Sequence, residues 1–478
     1  MKSLSMKTVM VAALAASMPA IALAQAPAPT LVTTAVVVPV DDKALPVDTL
    51  KSNLTKNPVS TFMNSAPKVQ IQHLRPTDMR GINVYEPPKD EGAAYTGFKL
   101  DWGAAFTQQF QGLDHSNTAS PRMIPDANKV LYDGNKLIQV GHGFNNAEAN
   151  LFMNAQVAKG IRVALTSYLS TRHHNETWVK DGYFLIDASP IDVALLNNIM
   201  KYVTLRMGHF EVNYGDAHFR RTDGGNAVYN PLVGNYIMDA FTTEIGGEAY
   251  FRKNGFLAMG GITAGEVRGQ VTKPNQRAPS YLGKLGFDKQ LTPATRVRLT
   301  GSLYQTAKSV SNTLYSGDRG GSRYYDVLEN TASTEAAQAW SGAIQPGMTS
   351  KIRALQLNPF VKVNGFEFFG IAEQAKGRTA TEIVDRKWTQ YAGEGVFRFL
   401  ADERAYVAAR YNTANGKLAG MTNNVGVNRY QIGGGMFITP NVLMKGEWVN
   451  QKYNDFPTTD IRSGGKFKGF MVEGVVAF

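Results

Sequence analysis

The stretch YTGFKLDWGAAFTQQF, beginning at Tyr95, places Phe98, Leu100, Trp102, Ala104, Phe106 and Phe110 on one face. Lys99, Asp101, Gly103, Thr107 and Gln109 fall on the other. Alternation of period 2 is the mark of a strand with one apolar and one polar side, because successive side chains leave a strand on opposite faces. The pattern recurs to the end of the chain. Ile161, Val163 and Leu165 oppose Arg162, Ala164 and Thr166. Val297, Leu299, Gly301 and Leu303 oppose Arg296, Arg298, Thr300 and Ser302, and Phe470, Val472, Gly474, Val476 and Phe478 share a face. About 16 such strands are expected, near residues 96–110, 149–157, 161–171, 178–187, 201–214, 241–251, 256–267, 281–288, 295–306, 353–363, 366–375, 388–399, 404–412, 427–438, 442–452 and 467–478.

The links between these strands have a rhythm. Very short ones, at 158–160, 252–255, 364–365, 400–403 and 439–441, alternate with long ones at 111–148, 215–240, 307–352 and 413–426. An outer-membrane barrel has short turns at one rim and long loops at the other, whereas sandwiches and propellers have no cause for such alternation. The fold class expected is therefore all-β, a transmembrane antiparallel β-barrel of about 16 strands spanning 95–478. Pairs of aromatic residues near strand ends, Tyr95 with Phe110, Trp388 with Phe399 and Trp448 with Tyr453, are read as interfacial girdles.

The N-terminus supports export. Lys2 and Lys7 precede an apolar run from Thr8 to Ala16, and Ala22-Leu23-Ala24 closes the segment with small residues. That is the layout of a signal peptide over 1–24, cleaved before Gln25. Residues 25–94, opening with QAPAPT and ending near Pro87-Pro88, lack a sustained period and read as an extended periplasmic N-terminal segment. No later stretch of 18 uncharged apolar residues occurs, so membrane helices are not expected. The chain has no Cys, which excludes disulfide frameworks, thiolate metal sites and cysteine nucleophiles.

Two stretches resemble a known family. VTLRMGHFEVNYG at 203–215 and NPFVKVNGFEFFGIAEQAKG at 358–377 are similar to segments of the phosphate-selective porin superfamily. The terminal Phe478 on a final alternating strand resembles the ending of bacterial outer-membrane proteins and implies recognition by the barrel-insertion machinery. The family resemblance implies a 16-stranded homotrimeric channel in the outer membrane of a Gram-negative-type bacterium, passing small polar or anionic solutes. It implies no cofactor and no catalytic residue. A dense ladder of Arg or Lys in one inner loop, which phosphate selectivity would want, is missing.

Charged side chains on the lumen wall set porin selectivity. The polar strand faces supply basic Lys99, Arg162, Arg296, Arg298, Lys362, Arg398, Arg410, Arg429 and Lys445. They also supply acidic Asp101, Glu244, Glu248, Glu367, Glu373, Glu394, Glu447 and Glu473, so the wall is nearly neutral. The formal net charge of +11, or +9 without Lys2 and Lys7, is then carried partly by loops. Arg268, Lys273 and Arg277 form one basic group, and Lys452, Arg462, Lys466 and Lys468 outnumber Asp455 and Asp460 in another. Such loops attract anions or bind lipopolysaccharide phosphates.

Two long loops are candidates to fold inward, 215–240 with His218, Arg220 and Arg221, and 307–352 with Arg319 and Arg323. Arg220 and Arg221 are the preferred selectivity residues. The RHHNE run at 172–176 would point His173 and His174 apart across a strand end, which does not suit a metal site. Scattered cations without stacking aromatics do not suit nucleic acid. The alternatives to a porin are a barrel enzyme acting on lipids and a structural or adhesive barrel with a plugged lumen. For the former, His209 with its nearby polar residues is left open as a candidate, although no G-x-S-x-G elbow appears.

Overall fold

The structure is a computed structural model that describes residues 71, 74–87, 89, 95–169, 177–265, 273–316, 324–334, 337 and 342–478, with only the backbone described at 146–148, 169 and 223–225. The expected signal peptide over 1–24, the RHHNE run, Arg268, Arg319 and Arg323 lie outside the described residues.

Sixteen strands close into one antiparallel barrel. In chain order they are β1 (Lys99–Ser116), β4 (Gly143–Ala158), β5 (Ile161–Leu169), β6 (Trp178–Ile186), β7 (Val203–Glu211) and β8 (Thr243–Lys253), then β9 (Phe256–Thr263), β10 (Ser280–Thr292), β11 (Thr295–Thr306), β12 (Lys351–Val363) and β13 (Phe366–Arg378). The remainder are β14 (Arg386–Phe399), β15 (Ala405–Gly416), β16 (Val425–Thr439), β17 (Val442–Asn454) and β18 (Lys466–Ala477). A small separate hairpin, β2 (Met123–Pro125) with β3 (Leu131–Asp133), decorates the first loop. Each barrel strand corresponds to one expected from the alternation. Among the described residues no helix is long and apolar enough to cross a membrane.

β1 pairs with β18 to close the ring, Gln109 opposite Glu473 and Ala105 opposite Ala477. Phe478 and Ala104 exchange backbone hydrogen bonds of 2.9 Å in both directions. Hairpins of two residues join strands at one rim, including Asn254-Gly255 with φ of 52° and 91°, the left-handed pair that a tight I′-type turn requires. At this rim only the link from β6 to β7 is long, and it carries a helix, α1 (Ala194–Met200). The other rim bears the long loops.

The two-fold alternation sorts side chains as expected. On the outside, Leu285, Trp102, Ile432 and Leu299 are exposed, while inward neighbours Lys284, Arg298 and Gln431 are buried. The pairing register runs through Gly208 without a shift. A side chain there would meet the Gly182 carbonyl oxygen at 2.5 Å, and φ is +137°, so glycine solves a close approach rather than marking a bulge.

The girdle assignment needs correction at two positions. Trp388 is fully buried and donates through Nε1 to the Lys417 carbonyl at 2.8 Å, and Tyr453 is also buried inside. Phe399 and Trp448 are on the outside. Trp388 and Phe399 are an odd number of residues apart, as are Trp448 and Tyr453, so period 2 puts the members of each pair on opposite faces.

Candidate functional site: a filled lumen

The barrel interior is packed with a wall-spanning loop and a strap from the N-terminal side. Residues 74–87, expected in an extended periplasmic segment, instead lie inside the short-turn mouth. Met79 donates its N–H to the Pro440 carbonyl at 3.0 Å, and Asn83 donates to Glu367 at 2.8 Å. Arg252 donates to the Pro87 carbonyl, and Tyr85 is only 1% exposed. The strap thus touches the β16–β17 turn, β13 and β8 in succession. The physical reason is satisfaction: Asp78 is paired within the strap by Arg80, while the buried side chains of Asn83 and Glu86 find partners on the charged wall that no aqueous extended chain would need.

The loop at 212–242 crosses the lumen to the far wall. Ile237 and Met238 donate their N–H groups to Asn412 at 2.6 Å and Gln390 at 2.7 Å. Lys445 donates to the carbonyls of Ala227, Asn230 and Leu232 at 2.8, 3.0 and 3.0 Å, and Arg410 to that of Gly234 at 2.8 Å. Arg429 reaches the Asn235 carbonyl. Described parts of the second candidate loop also enter, with Tyr315 donating to Glu373 at 2.7 Å and Tyr325 bonded to Gln111.

Strap, loop and wall meet at one cluster. Arg298 donates to Asp216 of the loop at 2.8 Å and to Glu86 of the strap at 2.8 Å. Lys284 bridges the same two carboxylates at 3.0 and 3.2 Å. Burial alone would raise both carboxyl groups, but Arg298 and then Lys284 outweigh it; Asp216 is held at about 2 and Glu86 well below its ordinary range. Carboxyls depressed on docking contribute stability that is complete above their free values near 4 and is lost as pH falls through the depressed ones. Docking of the strap, followed by protease cleavage within 74–87, is therefore expected to be unchanged from pH 7 down to about 4.5 and to weaken between about 4 and 2.

The expected site residues take distinct places. Arg220 is buried between Glu394 at 2.8 Å and Glu367 at 3.9 Å, and Arg221 pairs with Asp239 at 2.9 Å. His218 lies against Asn213 at 3.0 Å and Glu211 at 3.5 Å, its pKa lowered by burial against the pull of Glu211. Arg398 pairs with Glu367 at 2.8 Å and Arg410 with Glu394. Arg296 holds Asp288 at 2.7 Å, Lys362 holds Glu403, and Lys445 pairs with Glu473 at 2.8 Å. Lys99 is half-buried at the start of β1. Several of the wall charges thus form specific pairs, and Arg410, Arg429 and Lys445 clamp the loop rather than face open space.

Open space remains beside the strap at the short-turn mouth, in cavities of about 560 and 640 Å³, and in a cavity of about 250 Å³ between the strap, the loop and the inner wall of β4 to β8. Of the expected residues, Arg162 and His218 line it. Arg75, Lys180, Arg206 and Arg252 line it too, against the carboxylates of Glu86, Asp181 and Glu211. Arg162 donates to the amide oxygen of Asn154 at 2.7 Å, and Lys180 is 3.9 Å from Glu211. Arg75 lies over the Tyr229 ring at 3.6 Å and donates to the Phe219 carbonyl at 2.9 Å. Lys180 and Arg206 were legible as inward residues by parity, Arg206 within the very stretch that carries the family resemblance. Arg75 and Glu86 had no periodic signal.

No family model and no curated protein matches the chain. Among solved structures it is similar to an anion-selective porin from Comamonas acidovorans, with 11% identity, coverage of 80% of this chain and 100% of that one, and a TM-score of 0.48. It is also similar to the outer membrane channel DcaP of Acinetobacter baumannii, with 9% identity, 80% and 99% coverage, and a TM-score of 0.47. OmpT of Vibrio cholerae in its trimer form gives 10% identity, 80% and 100% coverage, and a TM-score of 0.43. Likeness at this level carries no argument about function, which rests on the lumen itself.

Proposed function

We propose that the protein is an outer-membrane channel for small polar solutes, anions ahead of cations, whose lumen is narrowed by the strap and the 212–242 loop. An apolar, exposed outer wall on a closed barrel supports membrane insertion, because lipid tolerates only structures with every backbone group paired internally. Sixteen strands enclose enough space for water, provided the interior is not filled. The observation that carries the anion preference is the lining of the cavity against β4 to β8, where five cationic side chains, Arg75, Arg162, Lys180, Arg206 and Arg252, face three carboxylates. A low-dielectric cleft with that excess raises local anion concentration.

Planar-bilayer recording of Arg162→Glu and Lys180→Glu tests it. Both changes reverse charge on the cavity wall, and each is expected to move the reversal potential in a salt gradient toward cation preference, with a larger shift at low ionic strength. An unchanged potential in both would take these residues off the path. Absence of stepwise conductance in the unaltered protein would sink the open-channel reading.

The filled lumen favours a second reading, a plugged structural or adhesive barrel. It predicts a silent full-length protein that conducts only after the strap is removed. Homotrimer assembly, contact of exposed Lys452, Lys466 and Lys468 with lipopolysaccharide phosphates, and insertion through the barrel-assembly machinery belong to the same proposal. No catalytic role or cofactor is part of it.

A further inference from the structure

We infer that α1 is a membrane-interface anchor, lying in the headgroup and acyl boundary of the leaflet on the short-turn side. The proposal rests on the reading of the barrel as membrane-embedded. At 3.6 residues per turn, Leu195, Leu196, Ile199 and Met200 fall on one side of the helix and Asn197 and Asn198 on the other. No residue of the helix is buried, and Leu195 is 68% exposed. Ile191 and Val193, leading into it, are exposed as well. An amphipathic segment whose apolar side is left largely exposed by its own chain requires an apolar medium or a partner.

Continuity with the outer wall decides for lipid. Tyr202, just beyond the helix, stands 6.0 Å from the ring of Phe251, an outward residue of β8. The Lys253 ammonium lies 4.9 Å from the centre of the Tyr202 ring. Phe256 and Phe287, outward at the same rim, stand 5.3 Å apart. The helix therefore leaves the barrel within an aromatic and cationic row, the residue types that settle at headgroup level. The ends of the link are held by Lys89, just beyond the strap, whose ammonium donates to the carbonyls of Asp187, Met200 and Val203. Other links at this rim are two-residue turns, or in one case the five residues 400–404, so the barrel does not need a link of this length to reverse direction.

The chain has no cysteine, so Leu195→Cys, Asn198→Cys and Leu285→Cys each accept one environment-sensitive fluorophore. Each labelled protein is reconstituted into phosphatidylcholine vesicles containing a nitroxide-labelled phospholipid, or into plain vesicles with iodide on both sides. Leu285 lies on the outer wall of β10 and reports insertion of the barrel. The label at 195 is expected to be quenched by the nitroxide lipid about as strongly as that at 285 and shielded from iodide, while the label at 198 is quenched by iodide. Iodide quenching at 195 equal to that at 198, with 285 still lipid-quenched, would place the helix in water and overturn the proposal. Shielding of 195 from both quenchers, with self-quenching between labelled copies, would assign the face to a second copy and overturn it equally. If 285 also escapes the lipid quencher, the membrane reading fails and this proposal with it.

Discussion

A chain lacking residues 25–94, with residues 1–24 joined directly to Tyr95, is expected to form the same sixteen-stranded barrel and to conduct severalfold more current per channel than the full-length protein. The barrel ladder starts at Lys99 and closes between β1 and β18, so no wall hydrogen bond is lost. What goes is the strap that blocks the short-turn mouth, anchored at Pro440, Glu367 and Arg298. Conductance follows the narrowest cross-section, and a wall of sixteen strands is wide enough for an aqueous path. Arg298 and Lys284 keep Asp216 as partner after Glu86 is gone, so the loop stays docked and the gain is limited to the strap's share. Single-channel recording of both proteins in the same salt decides the matter; equal conductance would mean that the strap does not obstruct the path. A silent full-length protein with a conducting truncated one would favour the plugged reading.

Replacing Arg298 by Met is expected to release the strap while leaving the barrel and the far-wall clamp of the loop intact. Arg298 contacts Asp216 at 2.8 and 2.9 Å, Glu86 at 2.8 Å and Asp288 at 3.0 Å, and its guanidinium lies 4.2 Å from the centre of the Tyr85 ring. Removing one member of a buried charge cluster costs about 3–5 kcal/mol, mostly because its partners are left buried without neutralisation. Three carboxylates then share Lys284 and Arg296, too few to hold the strap against its lost chain entropy. Arg298→Lys keeps the charge but not the planar fork, and is expected to fall between the two. Protease cleavage within 74–87 should rise strongly in the Met variant and modestly in the Lys variant, with the barrel's heat-modifiable migration unchanged. Equal protease resistance in all three would show that the cluster does not retain the strap.

The wall was legible because alternation is a local property that each strand carries in full. Arg162, Arg298, Arg398 and Arg410 could be placed inside from parity alone, and each of the sixteen strands could be found without knowing its neighbours. The same parity, applied to Trp388 with Phe399 and to Trp448 with Tyr453, would have separated the girdle pairs; proximity to a strand end was the weaker guide. Lys284 was missed although Leu282 and Lys284 share the inner face of β10.

The inward loop was recognisable by its length and by Arg220 and Arg221, but their partners were not. Glu394 and Asp239 become neighbours only through the closure of the barrel and the path of the loop across it. The strap is the extreme case. Nothing periodic marks residues 74–87, and their position depends on carboxylates and cations more than a hundred residues away.

The order of residues by itself determined a membrane-type β-barrel, its strands, which side chains face inward and which rim carries the tight turns. These follow from an alternation of period 2 and from link length, both written along a single strand or hairpin. Only the tertiary structure decided that the lumen is largely filled, that wall cations clamp a loop instead of lining water, and that a cationic cavity lies against β4 to β8. Those outcomes depend on which distant charges meet inside the closed ring, where a buried carboxylate or guanidinium must find its partner whatever its distance along the chain.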